Sequence, residues 1–142
     1  MDTPKFIVGG LLGGVINFFA GWLVWGILLM DYMTKHATNV SVFRPEENMV
    51  FWALIVGNLC FGFLIAYILY LAKANSARSG AVIGSISGAL MTAAFDFNIY
   101  AQMDLFDLGI VLPDVLASAF VTALVGAAIG WYFGRGPLNK AV

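Results

Sequence analysis

The sequence predicts an all-α integral membrane protein, a single domain over residues 1–142 with four transmembrane helices arranged as two helical hairpins. Three observations carry that expectation. The chain is 61% hydrophobic and 11% charged, with a mean hydropathy of +0.91, whereas a soluble domain carries about 25% charged residues. So small a chain cannot hide this much apolar surface in its own core, and lipid must cover much of it. Four apolar runs reach the roughly 20 residues a spanning helix needs. Basic residues collect at alternate ends of those runs.

The spans read in order as Phe6 to Tyr32, Met49 to Ala72, Gly80 to Ala101 and Pro113 to Gly134. The first is longer than a bilayer requires, so it must tilt or protrude. Its apolar part is also too long for a cleaved signal peptide, and no small-residue cleavage site follows it. Pro45-Glu46-Glu47 opens the second span and Pro113-Asp114 the fourth. Proline fits the first helical turn, where its missing N–H costs nothing, and acids there favour the positive end of the helix dipole. These acids read as helix starts before they read as a cation site. The third span opens on "GAVIGSISG" and closes on "FDFNIYA", with Asp96 and Asn98 near its end.

Charge sets the direction. Lys5, Lys73, Arg78, Arg135 and Lys140 lie at the N-terminus, the second connection and the C-terminus. Lys35 and Arg44 face Asp31, Glu46, Glu47, Asp104, Asp107 and Asp114 in and around the other two connections. The positive-inside rule then places both termini in the cytoplasm. Trp52, Tyr70, Tyr100, Trp131 and Tyr132 sit near span ends, as interfacial aromatics do; Trp22 and Trp25 lie deeper and read as packed or lipid-facing. A net charge of −1 argues against a nucleic-acid partner. The single Cys60 excludes an internal disulfide and paired-thiol redox chemistry.

The halves resemble one another. "GGLLGG" opens span one and "GAVIGSISG" span three, while "LLMD" and "AQMD" close them. Gly62, Ala66 and Tyr67 match Gly126, Gly130 and Trp131 at a constant offset. Two helices per half give both halves one orientation, so the candidate repeat is parallel, about an axis along the membrane normal.

Small residues recur at every fourth position, which is one helix face. The stripes are Gly9, Gly13 and Asn17, with Gly10 and Gly14 beside them; Asn58, Gly62 and Ala66; Gly80, Gly84 and Gly88; and Ser118, Thr122, Gly126, Gly130 and Gly134. Such faces let helix backbones approach closely in lipid. Gly9, Gly13, Gly62, Gly84, Gly88, Gly126 and Gly130 are the expected packing residues of a tight bundle, with some stripes left to serve a second copy.

Polar residues at depth form the candidate intramembrane site: Asn17, Asn58, Thr92 and Asp96. Helix rise puts Asn17 roughly 16 Å and Asn58 roughly 14 Å into the bilayer from opposite sides. Both reach the midplane, where a bond across the first hairpin is worth about 0.6–2 kcal/mol. Asp96 lies roughly 24 Å up span three, near the opposite rim. It shares a face with Ser85 and Thr92 and is expected to be solvated there, against the alternative that an ionisable residue inside a span is functional. No catalytic, cofactor or metal site is expected. His36 is a lone histidine in a loop. Met30, Met33, Met49 and Met103 gather near it as packing methionines rather than copper ligands. There is no phosphate-cradling loop and no nucleophile–base pair.

The order "GWLVWGILLMDYM", "FRPEENM", "IVGNLCFGFLIAYILY" and "FDFNIYA" resembles a group of small four-span bacterial membrane proteins known only as a domain of unknown function. The likeness covers most of the chain and implies a bacterial inner membrane, but no activity. "GNLCFGFLIA" is similar to the second-span asparagine motif of small fluoride channels, carried here by Asn58 and Gly62. The first-span arginine and the third-span Thr-Phe-Ser run of those channels are missing. Small multidrug transporters carry a glutamate within span one, and this chain has none. The expected function is that of a non-enzymatic membrane protein. It would act through helix packing as a homo-oligomer or an accessory subunit of a membrane complex, with the lipid bilayer around it. The alternative is a minimal channel or transporter for a small ion or solute using Asn17, Asn58, Thr92 and Asp96.

Overall fold

A computed structural model describes residues 2–42 and 44–135, and Lys140 lies outside them. The chain is all-α. Helix α1 (Thr3–Leu23) runs on as a π-helical turn (Val24–Leu28) and is followed by α2 (Met30–His36), α3 (Phe51–Leu71), α4 (Ala77–Gln102) and α5 (Val111–Gly134). Among the described residues, four segments are long and apolar enough to cross a membrane: Thr3–Leu28, α3, α4 and α5.

Local chemistry sets most helix ends. The Asp2 carboxylate accepts from the Lys5 N–H, capping α1, and proline sits in that first turn. Ser76 and Ser79 form a reciprocal capping box at the start of α4. Helix α3 ends with Lys73 at φ 54°, where the Ala74 N–H returns to the Leu69 carbonyl at 3.0 Å. Glycine usually takes that left-handed position.

Two expected boundaries move. Span one does not reach Tyr32: it stops at Leu28, and Leu29 (φ −104°, ψ −2°) separates the short α2. Pro45-Glu46-Glu47 does not open span two. The Asn48 N–H bonds to the Pro45 carbonyl at 2.9 Å, which closes a separate 3-10 turn, Glu46–Asn48, before α3 begins at Phe51.

The helices pair as two hairpins, α1 with α3 and α4 with α5, joined mainly by α1 packing on α5. Each hairpin closes on the same device. A side chain on Gly62 would run into the backbone of Gly10 and Gly14, and one on Gly126 into the backbone of Gly80 and Gly84. The likeness of the halves therefore extends to their seams. It does not extend to how the hairpins join, because α1 packs on α5 more extensively than α4 packs on α3.

The glycine stripes are spent inside the chain. Gly9, Gly13, Gly62, Gly84, Gly88, Gly126 and Gly130 are all buried. Gly10 and Gly14 face α3, while a side chain on Gly9 would meet Phe133 and one on Gly13 would meet Ile129, both of α5. The apolar core of Ile65, Ala66, Leu69, Val125, Ile129 and Phe133 fills the end of the bundle nearest the chain termini. Lys5 Nζ donates to the Phe133 carbonyl there at 3.3 Å. The opposite, loop end is held by polar contacts.

Candidate functional site

The four sequence-derived polar residues fall in two places. Asn17 of α1 and Asn58 of α3 meet across the first hairpin: Asn17 Nδ2 donates to Asn58 Oδ1 at 2.7 Å, and Asn58 Nδ2 donates to the Leu54 carbonyl at 2.7 Å. A carboxamide has two donors and one acceptor oxygen with two lone pairs, so these bonds leave hydrogen-bonding capacity on both residues. Beyond this pair, toward the loops, α1 and α3 diverge. The gap is a side-opening groove made of two adjoining hollows of about 540 and 590 Å³. Both hollows share Asn17, Asn58, Met49 and Leu54; Arg44 borders one and Trp22 the other. The groove is apolar in its walls and amide-lined in its floor. Gly57 lines it and has nothing within 4 Å of where a side chain would begin.

Thr92 and Asp96 belong to the other hairpin. In the antiparallel α4–α5 seam, each step of four along one helix meets a step of four along the other. Gly80 lies against Gly126 and Gly130, Gly84 against Gly126, and Gly88 against the Thr122 side chain. Thr92 Oγ1 then donates to Ser118 Oγ at 2.6 Å, and Ser118 Oγ donates to the Gly88 carbonyl at 3.5 Å. The Thr122 hydroxyl is satisfied by the Ser118 carbonyl at 2.6 Å. One turn further toward the loops, the register that sets Gly88 on Thr122 and Thr92 on Ser118 sets Asp96 opposite Asp114, and the two carboxyls come within hydrogen-bonding reach of each other.

Asp96 is not solvated at a rim. Its residue is 6% exposed, and its Oδ2 is buried without a hydrogen-bond partner. The sequence alone did not reveal its neighbours. Asp114 is indeed in the first turn of α5, but its side chain reaches across the seam to Asp96. Trp25, carried on the π-helical turn, donates from Nε1 to Asp114 Oδ1 at 2.5 Å. The signal that could have found them is the four-residue stripe: continued outward, Gly88, Thr92 and Asp96 oppose Thr122, Ser118 and Asp114.

The loop end is tied by a third cluster. His36 closes α2 rather than lying in a loop, and its Nδ1 is 2.8 Å from Asp107 Oδ2. The Thr38 N–H donates to the Leu105 carbonyl at 2.9 Å and the Asp107 N–H to the His36 carbonyl at 3.0 Å. The Tyr32 hydroxyl donates to the Gly109 carbonyl at 3.0 Å. The hydrogen bond with His36 holds the Asp107 carboxyl below the usual carboxylate range; desolvation opposes it, and the Gly109 N–H adds to the lowering.

Among the described residues, no three His, Cys, Asp or Glu side chains are placed to hold a metal ion. Compared with known protein families, curated proteins and solved structures, the chain matches none.

Proposed function

We propose that this chain is a small non-enzymatic membrane protein that works by helix packing. Its groove side takes a transmembrane helix of a second copy, or of a larger complex in which the chain is an accessory subunit. The observation that supports this reading is how the small residues are distributed. The glycine stripes are consumed within and between the two hairpins, while Gly57 and the Asn17–Asn58 floor stay open to the membrane side of the bundle. An amide facing lipid is costly, and a neighbouring helix that bonds to it gains on the order of 1 kcal/mol. The charge distribution favours both termini in the cytoplasm, and the likeness to small four-span bacterial membrane proteins favours a bacterial inner membrane.

The test is the mass of the particle extracted together with its surrounding bilayer. The wild type should exceed the 15.3 kDa of one chain, and Gly57→Trp, which fills the groove, should reduce it. Equal particles from both, each with one chain and no protein partner, would contradict the reading. A C-terminal reporter active only outside the cytoplasm would invert the orientation.

A channel or transporter built on Asn17, Asn58, Thr92 and Asp96 is the second reading, supported by the polar run Thr122, Ser118, Thr92, Asp96. Two features count against it. Asn17 and Asn58 lie at a different seam from Thr92 and Asp96, and toward the termini the polar run meets the Gly84–Gly126 backbone contact.

A further inference from the structure

The meeting of Asp96 and Asp114 is chemically incomplete as two anions. An ionised carboxylate only accepts hydrogen bonds. Two of them in hydrogen-bonding reach leave no hydrogen between them and bring like charges together where little water enters. The surrounding donors are already used. Trp25 has a single N–H, and it goes to Asp114 Oδ1. Thr92 donates to Ser118, Ser118 to the Gly88 carbonyl, and Thr122 to the Ser118 carbonyl. The His36–Asp107 contact belongs to the connections. Asp96 Oδ2 is left buried with no donor.

We propose that Asp96 and Asp114 form a proton-binding pair that holds one proton between them, latching the loop ends of α1, α4 and α5 together. The protonated carboxyl donates to its ionised neighbour, which completes the bond that neither anion can make alone. One negative charge then remains, and Trp25 donates to the pair through Asp114 Oδ1. The arrangement fits a proton better than a metal ion. Hard cations such as calcium take six to eight oxygen ligands, roughly. Here two carboxyls supply four oxygens, and an indole N–H directed at one of them is a poor neighbour for a cation. The latch explains why Asp96 is buried at all, and why Trp25 turns inward while Trp22, three residues earlier on α1, is 62% exposed. Trp25 also lines one hollow of the groove, but the two carboxyls lie outside the lining of both hollows.

Infrared spectroscopy of the full chain in phosphatidylcholine vesicles at neutral pH tests the assignment. The expected wild-type spectrum contains the carbonyl band of a protonated carboxylic acid, shifted on exchange into heavy water. Asp96→Asn and Asp114→Asn should each abolish that band, because an asparagine amide supplies the missing donor and leaves the other aspartate ionised. Trp25→Phe should keep the band but shift it, since Asp114 loses its other donor. This variant removes neither carboxyl, so it remains informative if an asparagine variant fails to fold. A wild type without the band overturns the proposal, as does a band that survives either asparagine substitution. Titration with sodium or calcium chloride supplies the other arm. A carboxylate shift that follows added cation and disappears in Asp96→Asn would assign the pair to a cation instead.

Discussion

Replacing Gly126 by alanine puts a methyl group where none fits. Its Cβ would overlap the Gly80 carbonyl oxygen and lie 3.1 Å from Gly84 Cα. Both are backbone atoms of α4, so no side chain can swing aside to make room. The α4–α5 seam must widen, at a cost of about 1–3 kcal/mol for overpacking a close contact. Widening also stretches the 2.6 Å Thr92–Ser118 bond one rung beyond Gly88, and an interhelical bond of this kind is worth about 0.6–2 kcal/mol. Gly57 provides the contrast. An alanine there meets nothing within 4 Å, and replacing glycine by alanine within a helix favours the folded state by roughly 0.5–1 kcal/mol. Thermal unfolding of both variants in one detergent checks this. Gly126→Ala should melt below the wild type, and Gly57→Ala at or above it. Equal melting temperatures for the two variants would refute the close-approach reasoning.

Lys73 holds a left-handed backbone conformation at φ 54°, which costs a side-chain-bearing residue about 1–2 kcal/mol. Lys73→Gly should therefore raise the melting temperature, and an unchanged or lower one would show that Lys73 gains more from its surroundings than it loses in strain. Asn17→Leu, Asn58→Leu and the double variant should give a coupling free energy of about 0.6–2 kcal/mol; strictly additive losses would show that the amide bond contributes nothing. The Asp107 carboxyl sits below its ordinary range because of His36. A depressed carboxylate gives its full stabilisation above the ordinary carboxylate pKa and loses it as pH falls through the lowered value. Backbone amides tying the loops, those of Thr38 and Asp107, should accordingly lose protection over that acid window, after correction for intrinsic exchange. Asp107→Asn should remove the pH dependence, and unchanged protection of the wild type across the window would count against the tie.

Most of the architecture can be read from the sequence because membrane helices obey few rules. Length and hydropathy mark the spans, and glycines four apart mark the seams. Depth arithmetic brings Asn17 and Asn58 to the same level, since each lies near the middle of its helix. Helix ends are less legible where a local hydrogen bond competes with the helix. Pro45 and Asn48 close their own turn, and Leu29 breaks the first span although its neighbours are as apolar as those inside it. The Asp96–Asp114 contact was hidden for a different reason. Asp114 already had a local explanation at the start of α5, and helix rise alone gives the depth of a residue but not what packs around it. Trp25 could not be assigned because the π-helical turn that carries it departs from the regular helical spacing. His36 and Asp107 are 71 residues apart, and no periodic pattern links two short connections.

The central claim is that the groove side of the first hairpin packs against another helix. The most direct measurement is thiol chemistry at Gly57→Cys, with Cys60 replaced by serine, in intact membranes. Leu90→Cys serves as the reference, since Leu90 is 67% exposed on the second hairpin. Packing predicts that the cysteine at position 57 reacts more slowly with a membrane-soluble maleimide than the one at position 90. Under oxidation or with a short bifunctional reagent it should yield a cross-linked species larger than 15.3 kDa. Equal labelling rates at the two positions, with only the 15.3 kDa chain after cross-linking, would contradict it.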